Sequence, residues 1–140
     1  MNRRMALVLM AALTFVFGCI AERRLSPVTR APMKDVPVPS PFKFDAKHST
    51  DYRNEAMGES ISNTRYTGSA KFVDVVAFYK EQMPLEGWRL LQDVGSGDRR
   101  TLSFGKGGEM SKPGASTCVV TIQAGWGDNA TAIQISRVER

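Results

Sequence analysis

The one histidine of the chain, His48, stands three residues after Asp45 and three before Asp51. An imidazole flanked by carboxylates is raw material for a metal ligand set or a general acid–base pair. A lone histidine in a polar stretch reads better as a solvated side chain, so neither a metal site nor a catalytic site is expected there. Asp51, Glu55 and Glu59 recur every four residues, and a helix would align them, but a solvated face accounts for that spacing. A catalytic thiol needs a depressed pKa and, as a rule, an adjacent imidazole. Cys118 instead sits in Thr117-Cys118-Val119-Val120-Thr121-Ile122, which alternates as a strand does, and reads as a small buried apolar residue.

The glycine-rich segments do not amount to phosphate loops. Residues 105–114 lack the G-x-x-x-x-G-K-[ST] arrangement and precede a strand. Gly125-Trp126-Gly127-Asp128-Asn129-Ala130 matches G-x-G-x-x-A literally, but that fingerprint requires a helix after it, and here a strand pattern follows. A hairpin turn is the expectation. No serine, histidine and acid set has a recognisable local context. The reading is therefore a non-enzymatic chain with no catalytic residue, no metal and no cofactor. Trp126, between two glycines at a turn, either packs back on the sheet edge or contacts a partner or lipid, since an exposed tryptophan suits both roles.

The elements that position these residues follow from periodicity. Phe72, Val75, Val76, Tyr79 and Met83 fall along one face of a helix. Ser69 is its candidate N-cap. Pro84 predicts an end near Met83, because the residue before proline avoids the α region; Gly87 then reverses the chain into Trp88. Phe42 and Phe44 mark a short first strand and residues 64–68 a second. Residues 51–58 are expected to form a helical turn or a loop. After the helix come four strands, at 88–94, 100–104, 117–124 and 130–138, separated by turn signals. The order β-β-α-β-β-β-β predicts an α+β domain. Its antiparallel sheet has about five to six strands, with one amphipathic helix packed on one face.

Charge bounds the partners. The formal net charge is +5, yet residues 42–140 carry thirteen lysines and arginines against twelve aspartates and glutamates. A near-neutral domain argues against nucleic acid as partner, which requires a basic face. The basic surplus sits in residues 1–41, which also hold five of the seven prolines.

Arg3 and Arg4 open the chain, Met5 to Phe17 is apolar apart from Thr14, and Val16-Phe17-Gly18-Cys19 closes the run. The run is short for a membrane-spanning helix, which takes about 20 apolar residues. It resembles a bacterial lipoprotein signal peptide, in which the cysteine becomes the lipidated first residue. That resemblance implies a signal peptide at 1–18 and lipidation at Cys19. It also implies a membrane contact through the lipid. Ile20 lacks the aspartate that retains such proteins in the inner membrane of enteric bacteria, which points to the outer membrane facing the periplasm. With Cys19 lipidated, Cys118 has no partner in the chain. Segment 19–41 reads as the lipidated cysteine and a proline-rich tether, extended to at most about 65 Å, that presents a single α+β domain at 42–140. Phe78-Tyr79, Met83-Pro84 and Gly87-Trp88, preceded by Val36-Pro37-Val38-Pro39 and followed by Phe104-Gly105-Lys106-Gly107-Gly108 and Cys118-Val119-Val120, resemble a pattern of small bacterial envelope lipoproteins. This likeness implies a folded α+β module and assigns no activity. The expected function is a lipid-anchored envelope protein that binds or supports another envelope protein. The alternative is a periplasmic module for a small ligand, lipid or glycan.

Overall fold

The computed structural model describes residues 24–28, 33–109, 112–125 and 130–140. Its elements are β1 (Lys43–Phe44), a 3-10 turn (Ala46–His48), β2 (Thr50–Asn54), β3 (Glu59–Gly68), α1 (Phe72–Leu85), β4 (Arg89–Ser96), β5 (Arg99–Lys106), β6 (Ser116–Ala124) and β7 (Thr131–Glu139). The strands form one antiparallel sheet in the order β1-β3-β7-β6-β5-β4, and β2 also pairs with β3. The fold is α+β with a single helix, as expected, but the sheet has seven strands rather than five to six.

The additional strand lies where a helical turn or loop was expected. Thr50–Asn54 pairs with residues 59–63 of β3, which begins five residues before the predicted strand. Apart from the cross-strand pair Tyr52 and Ile61, these segments are polar, so they carry little hydrophobic alternation. Their pairing is imposed from outside, because β7 residues 136–139 bind the first half of β3 on its other edge.

The covered face of the sheet is built from alternate residues in register. Leu102, Val120, Ile135 and Thr64 lie in one row across four strands. Phe104, Cys118, Arg137 and Ser62 make the next row, and Arg100, Ile122, Ile133 and Tyr66 lie on the other side of the first. Helix α1 buries Val75, Phe78, Tyr79 and Met83 on this face. Its N-cap is Lys71, not Ser69, and no side chain caps it. Pro84 lies inside the last turn rather than beyond it. Trp88 N–H donates to the Met83 carbonyl and Gly87 N–H to the Pro84 carbonyl, each at 3.1 Å, while Gly87 has φ of 87°. This pair of bonds with a left-handed glycine is the Schellman motif, and Met83 and Trp88 supply its apolar contact, both buried.

One helix cannot cover seven strands, and the remaining cover comes from the expected tether. Met33, Val36 and Val38 belong to the buried core, with Leu25 and Val28 packed against it. Val28 N–H donates to the Val38 carbonyl and Ser40 N–H to the Ser26 carbonyl, both at 2.8 Å, so the two limbs run as a paired strap. Phe42 follows the cis Ser40–Pro41 bond and lies against Gly68, where a Cβ would meet its ring at 2.8–2.9 Å. The packed body therefore begins well before residue 42. Alternating Val and Pro is compatible with an extended solvated chain, but the valines have apolar surface to bury, at about 1.5–3 kcal/mol each. The expected signal segment 1–18 and Cys19 lie outside the described residues.

Candidate binding site

The strap is fastened at its turn. The Asp35 carboxylate takes Lys106 Nζ at 3.0 Å on one oxygen and Arg137 on the other. Its backbone carbonyl accepts from Trp88 Nε1 at 2.8 Å. Lys106 and Arg137 both stand over the Trp88 ring, 5.4 and 5.8 Å from its centre, a cation–π arrangement. Lys106 also donates to the Glu86 carbonyl at 2.8 Å, at the end of α1. Strap, helix end, β5 and β7 thus converge on one carboxylate.

Beneath this cover lie three buried hydroxyls. Thr64 Oγ1, Tyr66 Oη and Tyr79 Oη are all buried; Tyr66 and Thr64 lean on one another, whereas Tyr79 Oη meets no hydrogen-bond partner among the described residues. Tyr79 is fully buried. Burial pushes its phenol well above the ordinary range, with smaller upward contributions from Cys118 and Tyr66. Burial likewise raises Tyr66, while its hydrogen bond with the Thr64 hydroxyl acts in the opposite sense. The three hydroxyls and the Cys118 thiol therefore form a polar node among the leucine, isoleucine and valine side chains of the core. An unsatisfied buried hydroxyl costs about 1–3 kcal/mol, so such groups are uncommon in native interiors.

Cys118 is unpaired and buried, and burial pushes its thiol up to about 12. The nearby Arg137 charge opposes this shift and Asp35 adds to it. A thiol so held is not a nucleophile at neutral pH. His48 lies on the far side of β3 and β7 from β6, about 14 Å of sheet at the usual strand spacing. Its Nδ1 donates to Asp45 Oδ2 over 2.7 Å, an exposed pair whose hydrogen bond lowers the Asp45 pKa. Ser49 Oγ donates to the Asp45 carbonyl and accepts from the Arg65 N–H, so this hydroxyl is not presented to the imidazole. Asp51, Glu55 and Glu59 do not share a helix face; they fall on β2, its turn and β3. Glu59 pairs with Arg140 at 2.7 Å. No group of three histidines, cysteines or acids among the described residues could hold a metal ion.

The opposite face of the sheet carries a shallow depression of about 230 Å³ bounded by Ala115, Thr117, Val138 and Arg140. Trp126 lies outside the described residues. The flanking strands β6 and β7 pair antiparallel up to Ala124 and Thr131, so a strand, not a helix, follows the glycine motif. The Asp35 latch and the hydroxyl node were not singled out from sequence. The usable signal was the pair Val36 and Val38, since apolar alternation inside a proline run marks a packed strand rather than a spacer.

The family described as START domain-like matches residues 49–132, more than half of the chain. The chain belongs to the START domain-like family. No curated protein and no solved structure matches it. The START domain-like span holds Thr64, Tyr66, Tyr79 and Cys118, and it excludes the strap and the Asp35 latch. The node therefore lies in the family body, and its cover combines α1 of that body with the strap that precedes it.

Proposed function

We propose that this chain is a lipid-anchored envelope protein whose START domain-like body binds a small amphipathic ligand at the polar node under α1 and the strap, which must part from the sheet to admit it. One observation carries the reading: the Tyr79 hydroxyl stands buried without a partner, beside the Tyr66–Thr64 pair, in an otherwise apolar interior. A ligand that brings apolar surface and one polar group would recover the lost hydrogen bond while keeping the site dry. Family membership supports a binding module over a catalyst. The run ending at Cys19 supports the anchor.

The test separates function from fold by sign. Tyr79→Phe removes an orphaned hydroxyl, so the ligand-free protein should keep its stability or gain up to about 1 kcal/mol. The same change should weaken binding of a monoacyl phospholipid, measured by calorimetry on the full chain, about fivefold to tenfold. Loss of stability with no binding heat for the parent protein would overturn the reading.

A second reading, a module for another envelope protein, has one observation in its favour. The sheet face opposite α1 bears Ile61, Val119 and Val138, partly exposed, with Tyr52, Leu91 and Val94 exposed beside them. Apolar surface of this kind marks interaction sites.

A further inference from the structure

The strap fixes where the chain leaves the body. Phe42 lies on Gly68, the last residue of β3, and Ser26 pairs with Ser40 close by. Asp35 sits at the opposite end of the sheet, against Lys106 at the end of β5 and Arg137 near the end of β7. Residues 24–26 therefore emerge at the end where β3 finishes, α1 begins and β7 starts, since Gly68, Thr131 and Ala124 are aligned in register. The turn between β4 and β5, with Asp98, is at this same end. Five residues, 20–24, separate Cys19 from Leu25. A chain of that length spans at most about 20 Å.

We infer that this end of the sheet rests against an anionic lipid surface, held there by a leash too short for the body to stand away. The inference rests on the anchor reading of Cys19 proposed above. Charge agrees with it. Arg24, Lys43, Lys71 and Arg99 are exposed at this end, against Asp74 and Asp98. The other end carries Glu55, Glu59, Glu86, Glu109 and Glu139, but these are balanced by Lys34, Arg53, Arg89, Lys106, Lys112, Arg137 and Arg140, several of them in ion pairs with those acids. Each basic side chain near an anionic leaflet contributes about 1 kcal/mol, within a Debye length of about 8 Å at physiological salt. Strands of nine residues are about 30 Å long, so the opposite, charge-balanced end is held well beyond that range when the sheet stands upright.

The test uses the full chain, carrying its native N-terminus, in vesicles of phosphatidylethanolamine with a quarter phosphatidylglycerol. Single exposed cysteines are introduced as Asp98→Cys or Glu55→Cys and labelled with a fluorophore. The buried Cys118, with its thiol pushed up to about 12, stays unlabelled. A headgroup-attached quencher should reduce the Asp98→Cys signal at least threefold more than the Glu55→Cys signal. Lys71→Glu with Arg99→Glu should narrow that ratio. Equal quenching at both positions, or stronger quenching at Glu55→Cys, overturns the orientation. Mass analysis of the N-terminal peptide separates the two ideas. An acylated Cys19 with the wrong quenching order removes the orientation alone, whereas an unacylated Cys19 removes the anchor and the orientation together.

Discussion

Asp93 shows how a single side chain couples two elements. It sits on β4 and receives Arg100 from β5 and Lys80 from α1. The Arg100 hydrogen bonds, followed by that of Lys80, hold its carboxyl down at about 2. Because the folded pKa lies below the ordinary value near 3.8, the carboxylate stabilises the fold fully above pH 4. That contribution is lost as pH falls from about 4 to 2. The group is largely solvent-screened, so the effect should be no more than about 1 kcal/mol. Asp93→Asn should therefore unfold at lower urea than the parent at pH 6, and the two curves should merge near pH 2. A constant gap across that range would mean that packing, not charge, is responsible.

At the scale of elements, the turn out of α1 is the most sharply specified local structure. Gly87 adopts φ of 87° with open space around its Cα, the nearest atom to an added Cβ being Lys106 Cε at 3.5 Å. Gly87→Ala should cost about 1–2 kcal/mol from backbone strain alone. Urea denaturation would show it as a lowered midpoint at unchanged slope; a change in slope would point instead to altered compactness of the denatured state. This turn was legible in the sequence, because Pro84, Gly87 and the apolar pair Met83 and Trp88 each act locally. The stripe Phe72, Val75, Val76, Tyr79 and Met83 and the meander β4 to β7 were legible for the same reason, each having a clear period. β2 was not, because its exposed polar residues pair only through the neighbour that β3 and β7 provide. The hydroxyl node was invisible too. Thr64, Tyr66 and Tyr79 are ordinary strand and helix residues until the register brings them under one cover.

The whole molecule depends on that cover, and the strap is the largest departure from what composition suggested. A chain beginning at Phe42 keeps all seven strands, α1 and the entire START domain-like span. It loses Met33, Val36 and Val38 from the core, the flanking contacts of Leu25 and Val28, and the carboxylate that holds Lys106 and Arg137. The three core side chains alone represent about 5–9 kcal/mol of burial at the usual transfer values, an upper figure because denatured chains are partly compact. Domains of this size hold only about 5–15 kcal/mol in total. Removing the strap also uncovers the side of the sheet around Tyr66, which α1 does not cover alone. Residues 24–140 should therefore unfold in one cooperative transition. Residues 42–140 should lack that transition and bind a hydrophobic dye in the absence of denaturant. A shared midpoint for the two chains would return residues 24–41 to the role of a passive tether, and the short leash from Cys19 would lengthen accordingly.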